Sequence, residues 1–224
     1  MGGSECIVGR KAELFWNSAK AIWYKWSSQS PANKDDPKNA NDLEGLAQVA
    51  DTAAAYYGGN RKAVIMAVSD FVLGVPGAGP LSVYNAHKGE GSQYIWGDQG
   101  FHTDFRDGSP QPRHAWAYIA ETSTPGSGFL SALLERIGGI GGQLTGQLTN
   151  YYHEFTDSTG GSWNDFILSE AGMYIGWQYT VGAIDPANLG NELRQNLGPN
   201  APDALTGRGK APANTMEWYL LPGR

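Results

Sequence analysis

Two amphipathic helices separated by Gly58-Gly59-Asn60 set the terms on which this chain folds. Leu43, Leu46, Ala47, Ala50, Ala54 and Tyr57 recur at the spacing that puts them on one face of a helix beginning at Asp42. Gly58 and Gly59 end that helix. Asn60 is suited to cap the next, whose Val64, Ile65, Val68, Phe71 and Val72 again share a face. So short a connection folds the pair into a helical hairpin. Its apolar faces then need further helices to cover them.

The remaining periodicity supplies them. Residues 11–26 carry Leu14, Phe15, Ile22, Trp23 and Trp26 among good helix formers, which predicts a first helix ended by the serine-rich segment before Pro31. Helical spacing returns at residues 111–121. It returns again at 129–155, where Gly138, Gly139, Gly141, Gly142 and Gly146 mark a kink or a close helix contact. A helix from Ser162 through Val181 carries Gly172 and Gly176, which leave room for a neighbouring backbone. Asp185-Pro186 predicts a cap followed by a short helix ending at Gly198-Pro199. Between these elements, residues 74–112 lose the helical period and form a long irregular loop with short β-prone pieces such as 93–96. Residues 199–224 are rich in Pro and Gly, yet Trp218, Tyr219 and Leu220 are too apolar to leave in water, so the tail is expected to dock. The expected fold is a mainly α, single-domain bundle of six or seven helices spanning residues 1–224.

Composition narrows the function. A net charge of −6 argues against a phosphate-binding surface, and nucleic acid is not an expected partner. No run of ~18 apolar residues exists to span a bilayer, and the start, Met1-Gly2-Gly3-Ser4-Glu5-Cys6, lacks the basic region and apolar core of a signal peptide. The expectation is a soluble chain, cytoplasmic or exported without a cleavable signal. A lone Cys6 rules out an intramolecular disulfide and is poorly placed as a nucleophile. No Gly-x-Ser-x-Gly elbow points to a serine hydrolase.

Charged residues make up 17% of the chain, so residues 102–114, with two histidines, two arginines and two aspartates, stand out. Asp107-Gly108-Ser109-Pro110 is turn chemistry, and Asp107 or Ser109 could cap the helix beginning near Gln111. If the loop folds back, Asp104 or Asp107 would pair with His114. A carboxylate fixes the tautomer of such a histidine and raises its basicity, which suits a general base, with Arg113 stabilising anionic character. His102, Asp104 and His114 would equally suit zinc. The opposite reading is a clasp, in which Arg106 and Arg113 neutralise the aspartates and pin the loop.

Gln111-Pro112-Arg113-His114 resembles the Gln-Pro-x-His segment of the zinc-dependent phospholipase C and S1-type nuclease family, which is also all-helical. The resemblance covers a few residues and implies a zinc-dependent phosphoesterase. That family places a further histidine two residues before the proline, where this chain has Pro110, and its N-terminal tryptophan ligand is missing. With four histidines in all, the three-metal site the resemblance implies cannot be assembled in the usual way.

Two other acids draw notice. Glu170 falls inside the stripe of Trp163, Phe166, Ile167, Ala171 and Tyr174, where a carboxylate would be desolvated and suited to a general acid. Glu13 poses the same question less sharply. With abundant aromatics as sugar-stacking platforms, these acids suggest a muramidase-like glycoside hydrolase, which needs two carboxylates ~5–9 Å apart. His153-Glu154 lacks the second histidine of a zinc helix, and His87 lies in the irregular loop. Three functions therefore stand: a hydrolase centred on His114, a non-enzymatic helical interaction module in which the cluster is a clasp, and a sugar-cleaving enzyme. Small-molecule, glycan and protein partners all remain open.

Overall fold

The computed structural model describes residues 3–74, 90–123 and 163–206, and these form a mainly α fold with six α-helices. They are α1 (Gly3–Trp26), α2 (Asp42–Tyr57), α3 (Arg61–Leu73), α4 (Gln111–Ser123), α5 (Trp163–Thr180) and α6 (Leu189–Leu197). No strand occurs among the described residues. The expected helix over 129–155 and the docking of Trp218, Tyr219 and Leu220 lie outside them.

The hairpin forms for the reasons its sequence gives. Asn41 accepts the Glu44 amide at 2.8 Å to cap α2, and Gly58 ends it in the left-handed region at φ 52°. Asn60 caps α3 by accepting the Ala63 amide at 3.1 Å. Between the caps, Leu46, Ala47, Val49, Ala50 and Ala53 are fully buried, so α2 sits at the centre of its neighbours and packs against α1, α3 and α6. Small residues set the approach of α6. A Cβ on Gly190 would stand 2.6 Å from the Ala47 carbonyl, which fixes glycine there.

The first helix begins at Gly3, eight residues before the periodicity suggested. A single internal glycine, Gly9, costs the helix only ~1 kcal/mol and does not end it. The predicted cap and short helix ending at Gly198 form, with the first turn, Pro186–Asn188, a 3-10 turn that leads into α6. Asp185 caps the turn by accepting the Ala187 amide at 2.8 Å.

The most extensive helix pairing among the described residues joins α4 and α5. A Cβ on Gly176 would meet the Ile119 carbonyl at 2.6 Å and one on Gly172 the Ala115 carbonyl at 2.9 Å, so the two glycines let the backbones touch as their spacing predicted. Thr180 Oγ1 donates to the Thr122 carbonyl at 3.0 Å, a hydroxyl link across the same seam. Every residue from Ile167 to Met173 is buried, which makes α5 an interior helix without a solvent face over two turns.

Two arginines tie distant segments together. Arg194 of α6 reaches Glu44 with two hydrogen bonds, at 2.7 and 2.9 Å, and Asp51 at 3.0 Å. Hydrogen bonding to Arg194 draws the Glu44 carboxyl below its ordinary value against the opposing effect of burial. Arg61 donates to the carbonyls of Tyr179 and Ile184 at 2.6 and 2.7 Å and lies over the Tyr179 ring. The Tyr179 hydroxyl in turn donates to the Arg61 carbonyl at 3.2 Å. Burial pushes that hydroxyl up to about 12, with Arg61 opposing the rise and Asp185 adding to it.

Because the folded hydroxyl holds its proton to higher pH than the unfolded one, its contribution is complete below the unfolded value of ~10. It is lost as pH rises toward about 12. Alkaline denaturation of Tyr179→Phe should therefore lack the part of the stability loss that wild type shows over that interval. Identical profiles would refute this assignment.

Residues 75–89 of the irregular stretch lie outside the described residues. Residues 90–110 contain two 3-10 turns, Glu90–Gln93 and Thr103–Phe105, and bury Tyr94, Trp96, Phe101 and Phe105 in the core. Gln93 closes the first turn, so the β-prone piece at 93–96 forms no strand. Burial of its aromatics against helices replaces edge pairing. Tyr94 stacks on Phe71 with ring centres 4.8 Å apart, and Trp16 and Trp23 meet it edge-on. Beyond α6, Ala201, Leu205 and Thr206 are buried, so the tail begins by docking.

Candidate functional site

The loop is held from below by an acid that the sequence did not single out. Asp42, at the first position of α2, is fully buried. Its Oδ1 accepts the amides of Ser28 and Gly97 at 3.0 and 2.9 Å, and its Oδ2 accepts that of Gln99 at 2.9 Å. Leu43 completes the seam by donating its amide to the Gln99 carbonyl at 3.1 Å. One carboxylate thereby satisfies three amides of irregular backbone that would otherwise be buried without partners.

Above this anchor, the charged residues of 102–114 divide into separate local arrangements. His102 is buried, and its Nδ1 accepts the Asp104 amide at 3.1 Å, capping the Thr103–Phe105 turn. A ring nitrogen that accepts from an amide carries no proton, so the geometry assigns the Nε2–H tautomer. The Asp104 carboxylate stands 3.8 Å from the same Nδ1. With that nitrogen unprotonated the contact is not an ion pair, and its lone pair is already engaged rather than offered to a metal.

Asp107 organises its own turn. It accepts the Ser109 amide at 2.8 Å and the Gln111 side chain at 2.6 Å. Gly108, at φ 87°, adopts the left-handed conformation this turn needs and donates to Asp98 at 3.2 Å. Arg106 meets Asp98 at 3.4 Å, and Asn164 of α5 donates to the Arg106 carbonyl at 3.0 Å. Asp98 is thus a second organiser that sequence reading missed.

Arg113 projects the other way. Its Nη2 donates to the carbonyls of Gly91 and Tyr94 at 3.2 and 3.3 Å. Burial pushes the guanidinium down from its ordinary value, and a guanidinium stays charged at neutral pH. Arg106 therefore meets Asp98 and Arg113 meets carbonyl oxygens, where the sequence suggested Asp104 and Asp107 as partners.

His114 is partnered across the α4–α5 seam. Its Nε2 lies 3.0 Å from Ser169 Oγ, and its ring centre is 5.4 Å from that of Tyr118. Ser169 is fully buried, and Glu170, the next residue, is 7% exposed, as its place in the apolar stripe predicted. Where the sequence suggested Asp104 or Asp107 as a partner for His114, α4 carries the imidazole to Ser169 of α5. His102, Asp104 and His114 do not fit zinc. Among the described residues no three His, Cys, Asp or Glu side chains are grouped to hold a metal ion.

Glu13 is exposed on the outside of α1, so it does not share the buried setting of Glu170. The sequence offers either acid alone as the centre of a sugar-cleaving site, and of the two Glu170 is the buried one. His87, His153 and Glu154 lie outside the described residues, as does every residue of 129–155. No described helix is long and apolar enough to cross a membrane. Comparison with protein-family models, with curated proteins and with solved structures finds no match to this chain.

Chemically, the described residues offer a nucleophile-base contact, Ser169 with His114, beside a set of polar links from side chain to backbone. Serine and histidine are common enough in helices that their meeting is invisible in sequence. They stand 55 residues apart, and α5 is recognisable as their meeting place only from the glycines that draw it onto α4.

Proposed function

We propose that this chain is a helical interaction module in which residues 102–114 are a polar clasp that holds the loop 90–110 on the helical body. One observation carries the reading. Arg113, the cation expected to stabilise a reacting anion, has its guanidinium on the carbonyls of Gly91 and Tyr94. Asp107 and Asp98 likewise address the amides of Ser109 and Gly108. Buried polar groups satisfied in this way order irregular backbone without chemistry.

Arg113→Met keeps most of the side-chain volume and leaves those carbonyls without their cation. It should lower stability by about 2 kcal/mol, the scale of a charged hydrogen-bond group removed from a buried site. Urea unfolding measures this loss, and an Arg113→Met protein as stable as wild type would remove the clasp.

The 3.0 Å contact between His114 and Ser169 favours a second reading, an acyl hydrolase. There Ser169 Oγ attacks the acyl carbon, His114 Nε2 takes the hydroxyl proton and passes it to the leaving group, and water then releases the acyl group. Full burial of Ser169 weighs against it. A fluorophosphonate probe decides. Covalent labelling of wild type that vanishes in Ser169→Ala and in His114→Ala establishes the hydrolase and overturns the module; an unlabelled Ser169 supports the module.

A further inference from the structure

Resting on the module reading, we propose that the outer face of α1 is the docking surface, and that its partner is an acidic amphipathic helix of another protein. The face is defined by spacing. Arg10, Leu14, Asn17, Ala21 and Tyr24 follow one another at intervals of four, three, four and three, and all five are exposed. That alternation is the seam along which one helix receives another. The opposite side of α1, with Phe15, Ala19 and Trp23, is already buried in the core. Among the described residues the helix therefore carries one buried apolar face and, opposite it, an exposed mixed face with two large apolar side chains.

Leu14 and Tyr24 are 44% and 51% exposed, large apolar side chains at the two ends of the stripe. At ~1.5 Å per residue they stand about 15 Å apart. Asn17 and Ala21 form a lower stretch between them, so the profile is two knobs around a hollow, the relief into which a helix ridge packs. Asn17 supplies one polar group in the seam, the kind of residue that fixes register.

Charge identifies the occupant. Residues 10–26 contain Arg10, Lys11, Lys20 and Lys25 against Glu13 alone, a net charge of +3 in a chain of net −6, which leaves −9 on the rest. Lys11 and Lys25 flank the seam on one side and Lys20 on the other, by helical projection. Lys25 Nζ lies over the Trp26 ring, 4.6 Å from its centre. Two copies meeting through this face would set +3 against +3, so self-pairing is opposed and an acidic partner is favoured. A membrane would be offered only two large apolar anchors, less than an interfacial helix buries. One exposed helix face falls short of the ~800 Å² a stable interface takes from each partner, so the complex is transient.

The test uses the whole chain and a fluorescein-labelled synthetic helical peptide bearing glutamates along one face and two leucines about ten residues apart, the Leu14 to Tyr24 separation. Fluorescence anisotropy is measured at low and at near-physiological ionic strength, against a peptide of identical composition with the leucines displaced. The expected result is binding of the ordered peptide alone, weakened by salt, and weakened about tenfold or more in Arg10→Glu/Lys25→Glu and in Leu14→Asp. Lys34→Glu/Lys38→Glu, which changes two exposed cations elsewhere, should bind as wild type does. Circular dichroism confirms that each variant is folded.

Four outcomes would overturn the proposal: no binding by wild type, equal loss in the Lys34/Lys38 control, capture by phosphatidylserine vesicles in place of the peptide, or dimerisation abolished by Leu14→Asp. None of them affects the fluorophosphonate result at Ser169. Failure of the docking face and failure of the module reading are therefore told apart.

Discussion

Asp42→Ala should lower the unfolding free energy by about 3–5 kcal/mol, a large part of the 5–15 kcal/mol that holds a typical domain together. The carboxylate is fully buried and accepts the amides of Ser28, Gly97 and Gln99. Its removal leaves three backbone donors with no acceptor, at about 1–3 kcal/mol each, offset in part because a buried charge no longer has to be desolvated. Asp42→Asn should fall between the two proteins. Its amide oxygen can still serve two of the donors, while its NH2 group faces an amide it cannot accept from. Urea denaturation gives the loss, and amide hydrogen exchange locates it, with protection at Gly97 and Gln99 falling first. A loss below about 1 kcal/mol would mean that water replaces the carboxylate and that the anchor is dispensable.

Trp96→Ala is the second large effect. The indole is 1% exposed and packs on α2, so close that a Cβ on Gly45 would stand 2.5 Å from its Cζ3. Truncating a buried aromatic to alanine costs about 3–5 kcal/mol through lost burial and the cavity left behind. Here the expected loss is about 3 kcal/mol, the lower end, because the buried Trp96 Nε1 has no hydrogen-bond partner and its desolvation penalty disappears with the ring. Trp96→Phe separates the two contributions. It keeps an aromatic ring, removes the unsatisfied donor, and should stay within about 1.5 kcal/mol of wild type. A phenylalanine variant as damaged as the alanine one would show that the indole shape, rather than its apolar area, is what α2 requires. Since Trp96 and Asp42 hold the same stretch of loop, the double alanine variant should lose less than the two single losses combined. Strict additivity would contradict a shared docking of the loop.

What the sequence disclosed depended on how far apart the interacting residues lie. Local chemistry was readable. Asn60 and Gly58 acted within one helical turn, and Asp185 and Asp107 within two to four residues. Periodicity carried somewhat further, since it placed Glu170 in a buried stripe and marked Gly172 and Gly176 as points of close approach. It did not disclose partners. For His114 the sequence offered only aspartates nearby in the chain, and its contact with Ser169 of α5, 55 residues away, left no mark there. Asp42 looked like the acidic start of a helix because three backbone amides leave no mark in a sequence. Density of charge did not name the partners either, since Asp98, which meets Arg106 and Gly108, lies outside residues 102–114.

The arginine that joins α6 to α2 has a consequence during synthesis. Glu44 leaves the ribosome long before Arg194, 150 residues later, and the Arg61 links to Tyr179 and Ile184 span 118 and 123 residues. The α2–α3 hairpin can form early and pack on α1, yet its acids wait for a cation and the faces that meet α4 and α6 wait for covering. At ~5–20 residues per second, the 150 residues to Arg194 take between several seconds and half a minute. Throughout that interval the nascent chain carries a formed but half-covered hairpin, the species on which a chaperone or a protease would act.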